Sequence, residues 1–132
     1  MQAVEPATPA QQQIRVLVVD DDPEIHTLVS VWLQRAGFIV EAAASGAEAL
    51  SRISVARPDL IITDLKMDGI SGIDLLSEVH RENPLLPVIL LSGQAQIPDA
   101  VRATHLGSSA FLIKPAQEGD LLAAVQRALR LS

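Results

Sequence analysis

The chain has 132 residues, no cysteine and a net charge of −6, and 48% of its residues are apolar. This length and composition are typical of one soluble globular domain with its own core. The lack of cysteine excludes disulfides, thiolate metal sites and cysteine nucleophiles. The acidic balance argues against nonspecific binding to nucleic acid or to an anionic membrane surface, and no apolar run approaches the roughly 18 residues of a membrane span.

The first 13 residues have neither the basic start nor the apolar stretch of a signal peptide. Their proline, alanine and glutamine content is typical of a flexible segment. We therefore predict a flexible tail over residues 1–13, one domain over residues 14–132, and a cytoplasmic protein.

From residue 14 onward, short apolar runs alternate with amphipathic segments. The apolar runs predict strands over residues 14–19, 38–42, 60–63, 88–91 and 110–113. The amphipathic segments predict helices over residues 23–36, 45–57, 73–82, 100–106 and 120–130. Capping signals mark the starts of the first two helices, with Asp22 before a proline in one and Ser45 with Glu48 in the other. This alternation predicts an α/β fold with a doubly wound parallel sheet of five strands covered by five helices.

Four of the predicted strands end at polar residues. In chain order these residues are Asp20, Asp21, Asp22, Asp64, Ser92 and Lys114. Because the carboxyl ends of parallel strands meet at one edge, where ligands bind in open α/β sheets, we expect these side chains to converge. Asp22 is explained more simply as a helix cap. The others describe a site for a divalent cation and a phosphoryl group.

The residue types suit phosphoryl transfer to a carboxylate. Oxygen ligands favour Mg²⁺, which takes one or two carboxylates and keeps several waters, and Asp20, Asp21 and Asp64 are enough for such a site. A cation would relieve the repulsion between crowded carboxylates. Aspartate can attack phosphorus to form an aspartyl phosphate. Lys114 can neutralise negative charge on the phosphoryl oxygens, and the Ser92 hydroxyl can donate a hydrogen bond to them.

Four motifs together resemble the receiver domain of response regulators in two-component signalling. The motifs are VVDDDP, ITDLKMDGISG, LLSG and FLIKP. The resemblance covers residues 14 to about 130 and implies a flavodoxin-like fold. It implies that Asp64 is the phosphoacceptor and that Mg²⁺ is held by Asp20, Asp21, Asp64 and the backbone carbonyl of Lys66. Ser92 and Lys114 would contact the phosphoryl group.

The resemblance also implies a conformational switch and partners. Ser92 would move toward the phosphoryl group, and Phe111 on the fifth strand would turn inward behind it. The phosphoryl donor would be a sensor histidine kinase or a histidine phosphotransfer protein. Such a domain catalyses only its own phosphorylation and dephosphorylation, so it is not an enzyme with an external substrate. The apolar surface of the last helix, with Leu122 or Leu129 partly exposed, suggests a homodimer or an output partner.

Some residues depart from the family pattern. Asp68 stands where proline is usual, and Ala116 stands where a bulky apolar residue is common. Lys66 and Gln94 occupy positions that tune the lifetime of the phosphate in similar domains. The three histidines fall on predicted helices, without metal-site spacing, and are predicted to be surface or boundary side chains: His26, His80 and His105.

Two other functions remain open at the level of the sequence. A small Mg²⁺-dependent phosphatase could use Asp64 as its nucleophile, although such enzymes commonly place a second aspartate two residues later, where this chain has Lys66. A degenerate receiver could act only as a protein-binding scaffold, although the complete set of site residues argues against it. Both a stand-alone regulator and a fragment of a longer protein are compatible with the sequence.

Overall fold

Five parallel strands form one sheet in the computed structural model, which describes residues 14–67, 69–93, 103–104 and 106–130. The strands are β1 Arg15–Val19, β2 Ile39–Ala43, β3 Leu60–Asp64, β4 Val88–Ser92 and β5 Ala110–Ile113, in the spatial order β2-β1-β3-β4-β5. The helices found within these ranges are α1 Pro23–Arg35, α2 Gly46–Val55, α3 Gly72–Glu82 and α4 Glu118–Leu129. None of these helices is long and apolar enough to cross a membrane.

The predicted α/β architecture is confirmed. Each strand lies within one residue of its predicted limits, and the four helices lie within two. The predicted tail over residues 1–13 and most of the helix predicted over residues 100–106 lie outside the described residues, as do Asp68, Gln94 and His105.

The core consists of two layers, one on each face of the sheet. Alternate residues of β1 point to opposite faces, so Leu17 and Val19 pack in one layer while Val16 and Val18 pack in the other. The first layer includes the buried face of α3, and the second includes buried residues of α1 and α4. Because both faces of the central strands are covered, their sequences are continuous apolar runs rather than alternating ones.

The register of the sheet brings the predicted site residues to one edge. Val19 pairs with Thr63, so Asp20 and Asp64 follow at the same level. Asp64 pairs with Leu91, the residue before Ser92. Ser92 in turn pairs with the last residue of β5, directly before Lys114. The polar strand ends therefore meet at the carboxyl edge of the sheet, as the sequence predicted.

Three of the four helices that the structure describes begin with a side-chain cap. Asp22 accepts a hydrogen bond from the Glu24 amide at the start of α1, and Ser45 accepts one from the Glu48 amide at the start of α2. Both caps were predicted from the sequence. Ser71 caps α3 in the same way, and the sequence reasoning did not identify it. Each cap satisfies an amide that would otherwise lack an intrahelical partner.

Candidate functional site

The turn after β1 holds two acidic residues in different environments. Asp20 is 1% exposed. Its amide donates to the Ala43 carbonyl at 3.1 Å, and its Oδ1 accepts from the Asp22 amide at 2.9 Å. Asp21, the next residue, is exposed. One carboxylate of the pair is therefore fixed by the fold, and the other faces the solvent.

The loop between β3 and α3 is pressed against the end of β3. Asp64 is the last residue of that strand and is 8% exposed. The Gly72 amide donates to the Leu65 carbonyl at 2.8 Å. A Cβ atom on Gly72 would lie only 2.2 Å from the Asp64 carbonyl oxygen, a distance that two such atoms cannot adopt. The backbone behind Asp64 can therefore pack this closely only because residue 72 is glycine.

Lys114 connects the two buried carboxylates. Its Nζ lies 3.0 Å from Oδ2 of Asp20 and 3.5 Å from Oδ1 of Asp64. Its backbone amide donates to the Ser92 carbonyl at 2.7 Å, which places the start of its side chain at the end of β4. The ammonium group of Lys114 therefore lies between the acidic turn after β1 and the end of β3.

Burial and the neighbouring charges both shift the pKa values of Asp64 and Lys114. Burial raises the pKa of the Asp64 carboxyl, and the negative charge of Asp20 raises it further, while Lys114 counteracts both effects. Burial alone would lower the pKa of Lys114, but its hydrogen bond to Asp20 and the charges of Asp20 and Asp64 raise that pKa overall. The lysine therefore stays charged, and one carboxylate remains incompletely compensated.

A divalent cation would compensate the remaining negative charge of the site. Carboxylate oxygens of Asp20, Asp21 and Asp64 all lie within 4.8 Å of one another, close enough to share one ion directly or through its waters. Hard oxygen donors with excess negative charge are the ligands that Mg²⁺ prefers. Asp22, which caps α1, is not one of the clustered residues. The donor set therefore fits the predicted metal.

A small open cleft leads to Asp64. Asp64, Lys66, Ser92, Gly93 and Lys114 line a volume of about 200 Å³. Ser92 is 1% exposed, whereas Lys66 is exposed. The structure thus brings the predicted nucleophile, hydroxyl and lysine to one cleft, with a second lysine at its rim.

Phe111 lies on β5 beside Leu90 of β4. It is partly buried against the core layer that contains α3. This position is compatible with an ordinary packing role and with the predicted switch, which stays a prediction.

Both histidines that the structure describes contact backbone carbonyls, which the sequence reasoning missed. Nε2 of His26 bonds the Asp20 carbonyl. The ring of His80 lies between the carbonyls of Leu106 and Leu86, at 3.1 and 2.7 Å. Both side chains are half-buried, but helical spacing alone could not show which carbonyls they reach.

The family comparison gives a definite result. Residues 16–126 match the family model described as the response regulator receiver domain. The chain belongs to this family. It is therefore a receiver domain of the two-component signalling systems, a signalling module rather than an enzyme of the ordinary kind.

Similar proteins support the same assignment. The chain is 41% identical over 117 residues to the transcriptional regulatory protein GlrR of Escherichia coli (strain K12), covering 89% of this chain and 26% of GlrR. It is 33% identical over 116 residues to the DNA-binding response regulator MtrA of Mycolicibacterium smegmatis, covering 88% of this chain and 50% of MtrA. The chain thus spans only a quarter to a half of the length of these curated relatives.

Solved receiver structures share the fold. The CheY-like response regulator receiver domain protein of Methanospirillum hungatei JF-1 has a TM-score of 0.86 at 30% identity, covering 89% of this chain and 94% of that one. The receiver domain of NtrX from Brucella abortus has a TM-score of 0.84 at 34% identity, covering 89% and 99%. These likenesses confirm the flavodoxin-like single-domain fold.

Proposed function

We propose that this receiver domain is a Mg²⁺-dependent switch that accepts a phosphoryl group on Asp64 from a phosphohistidine. The observation that carries the proposal is the position of the Lys114 ammonium, within 3.5 Å of Asp20 and Asp64, two of the three carboxylates that cluster at the site. A partly buried lysine and a carboxylate with a raised pKa in one cleft are unusual for a structural role. The domain itself is proposed to span residues 14–132.

Each residue has a role in the proposed transfer. A carboxylate oxygen of Asp64 attacks phosphorus as the bond from phosphorus to the donor imidazole breaks, leaving a neutral histidine on the donor. The Lys114 ammonium group exchanges its contact with Asp64 for one with a phosphoryl oxygen, and the Ser92 hydroxyl donates a hydrogen bond to another phosphoryl oxygen. Asp20, Asp21, Asp64 and the Lys66 carbonyl would hold Mg²⁺, which supplies charge neutralisation for the phosphoryl oxygens when bound.

The proposed output begins with a change of charge at one strand end. Phosphorylation adds negative charge beside Ser92 and Lys114, which end or follow β4 and β5. Movement of Ser92 toward that charge would open space behind it for Phe111. The changed surface is therefore expected around β5 and the last two helices of the predicted fold.

The donor is proposed to be a sensor histidine kinase or a histidine phosphotransfer protein. Support comes from α1, which starts at the acidic turn and carries exposed apolar side chains: Leu28 is 46% exposed and Val31 is 42% exposed. Exposed apolar side chains beside a reactive site suit a partner that must deliver a group to it. The homodimer or output contact through α4 stays a prediction, with Leu122 and Leu129 half-buried.

Intact mass after incubation with Mg²⁺ and acetyl phosphate tests the proposal. The wild-type protein should gain the mass of one phosphoryl group, and Asp64→Asn should gain none. If the adduct is too short-lived to weigh, Mg²⁺ with beryllofluoride should still bind wild type and not the variant. An equal adduct on both proteins, or neither an adduct nor beryllofluoride binding on wild type, would contradict the proposal and favour the scaffold alternative.

The phosphatase alternative has less support. Its usual general acid would stand two residues after the nucleophile, and Lys66 is there. The cleft beside Asp64, of about 200 Å³, is also small and open. Turnover of small phosphate esters by the purified protein would revive that alternative.

A further inference from the structure

His26 makes one hydrogen bond at the site and leaves one ring nitrogen without a partner. Its Nε2 bonds the backbone carbonyl of Asp20. A carbonyl oxygen only accepts hydrogen bonds, so Nε2 carries the hydrogen of this bond. Nδ1 is buried, and none of the described residues donates to it. The geometry therefore assigns a hydrogen to Nε2 and leaves Nδ1 without a described partner.

A buried ring nitrogen without a hydrogen-bond partner is unfavourable for folding, and such groups are rare in native proteins. His80 provides a contrast, because both of its ring nitrogens face carbonyl oxygens. His80 thus joins three segments of the fold, as a structural histidine does. Among the described residues, the ring of His26 bonds only to the Asp20 carbonyl, and its other nitrogen has no partner. Stability alone is therefore a poor reason for this arrangement.

The bond of His26 fixes the peptide unit that joins Asp20 to Asp21. Other contacts already hold Asp20: its amide bonds the Ala43 carbonyl, and its carboxylate bonds the Asp22 amide and Lys114. Asp21 is exposed, so the direction of its side chain depends on the backbone of the turn. Rotation of the Asp20–Asp21 peptide would swing the Asp21 carboxylate away from the other two.

We infer that His26 is a positioning residue for the cation site. Its Nε2–H holds the Asp20 carbonyl so that the carboxylates on either side of that peptide converge on one ion. The inference rests on the proposed function, because it concerns the same Mg²⁺ site. It adds His26 to the carboxylates and Lys114 of the site. His26 acts through the backbone and touches neither the ion nor the phosphoryl group.

Removal of the donor should weaken the binding of Mg²⁺ without weakening the fold. We expect His26→Leu to raise the Mg²⁺ dissociation constant about tenfold, in the range typical of residues that orient metal ligands. Its metal-free melting temperature should be equal to or above that of wild type, because the buried nitrogen without a partner is gone. His26→Gln keeps a side-chain N–H and should restore most of the affinity.

Calorimetric titration with MgCl₂ measures these affinities. The matched control is Thr27→Ala, on the next position of α1, where the lost hydroxyl bonds only the Pro23 carbonyl and Mg²⁺ affinity should not change. If His26→Leu does not fold, His26→Met, which has nearly the length of glutamine and no donor, gives the same comparison. A donor-free variant that binds Mg²⁺ as tightly as wild type would overturn the positioning role.

A second readout uses the metal-free protein. ¹⁵N NMR of the histidine rings should show a hydrogen on Nε2 of His26. A hydrogen on Nδ1 with a bare Nε2 would overturn the inference whatever the affinities show. Wild-type protein that binds no Mg²⁺ at all would overturn the proposed function and the positioning role with it, whereas equal binding by wild type and His26→Leu would overturn the positioning role alone.

Discussion

At the residue scale, the charge of Lys114 allows two buried carboxylates to share one site. Oppositely charged groups within 3.5 Å favour their charged forms. The compensation is incomplete, because burial and Asp20 still raise the pKa of Asp64. In the metal-free protein, the negative charge of Asp64, the proposed phosphoacceptor, is therefore unfavourable. A bound cation would stabilise that charge.

This imbalance predicts a pH-dependent gain in stability for Asp64→Asn. Because the pKa of Asp64 is higher in the folded protein than in the unfolded chain, the native state binds this proton more tightly. Lowering the pH through the raised pKa therefore stabilises wild type at this residue, and raising the pH removes that contribution. Metal-free Asp64→Asn should be more stable than wild type at neutral pH, with a difference that shrinks as the pH falls through that pKa.

Urea unfolding at several pH values measures the difference between the two proteins. The control is Asp120→Asn, an exposed position in the first turn of α4, which should show no comparable gain at neutral pH. Wild type more stable than Asp64→Asn at neutral pH, or a difference independent of pH, would contradict the account.

At the scale of elements, the start of α3 and the end of β3 form a single tight unit. Ser71 caps the helix, the Gly72 amide bonds the Leu65 carbonyl, and no side chain separates Gly72 from the backbone of Asp64. The position of the proposed nucleophile is thus set by a helix start that follows it in the chain.

Gly72→Ala should disturb both the fold and the site. The added methyl group would meet the Asp64 carbonyl oxygen at 2.2 Å and the Leu65 Cα at 2.9 Å, so the backbone must shift. Overpacking of this kind costs about 1–3 kcal/mol, and we expect weaker Mg²⁺ binding as well. Gly119→Ala is the matched control, because nothing lies within 4 Å of its Cβ position and helix propensity favours alanine. Unfolding curves that are the same for both variants would show that the contact is not tight.

The elements differ in how well the sequence predicted them. The three central strands were predicted to within a residue because their Val, Ile and Leu runs, buried on both faces, leave a clear pattern. The meeting of Asp20, Asp64 and Lys114 followed from one fact, that parallel strands end at the same edge. The contacts of His26 and Gly72 could not be predicted, because each depends on which backbone atoms come close after the elements pack.

At the scale of the whole molecule, the site belongs to the folded state alone. Its carboxylates lie at the ends of β1 and β3, far apart in the chain, and two core layers hold those strands together. The unfolded chain has no such cluster. A ligand that binds only the folded form stabilises it, by about 2.7 kcal/mol at a concentration one hundred times its dissociation constant.

Mg²⁺ should therefore raise the melting temperature of wild type and raise that of Asp21→Asn less. The variant loses one exposed ligand of the proposed cation without disturbing the core. Asp22→Asn is the control, because asparagine also caps helices and Asp22 is outside the carboxylate cluster. Thermal unfolding with and without MgCl₂ gives the three shifts. Equal shifts for wild type and Asp21→Asn would contradict the assignment of Asp21 as a ligand.

The central claim, that Asp64 carries the phosphoryl group, is tested most directly by locating the modification. Protein treated with Mg²⁺ and acetyl phosphate is reduced with borohydride, which converts an aspartyl phosphate to homoserine, and its peptides are sequenced by mass spectrometry. We predict homoserine at position 64 and unchanged aspartate at positions 20 and 21, with no homoserine when Mg²⁺ is omitted. Homoserine at another aspartate, with Asp64 unchanged, would contradict the account.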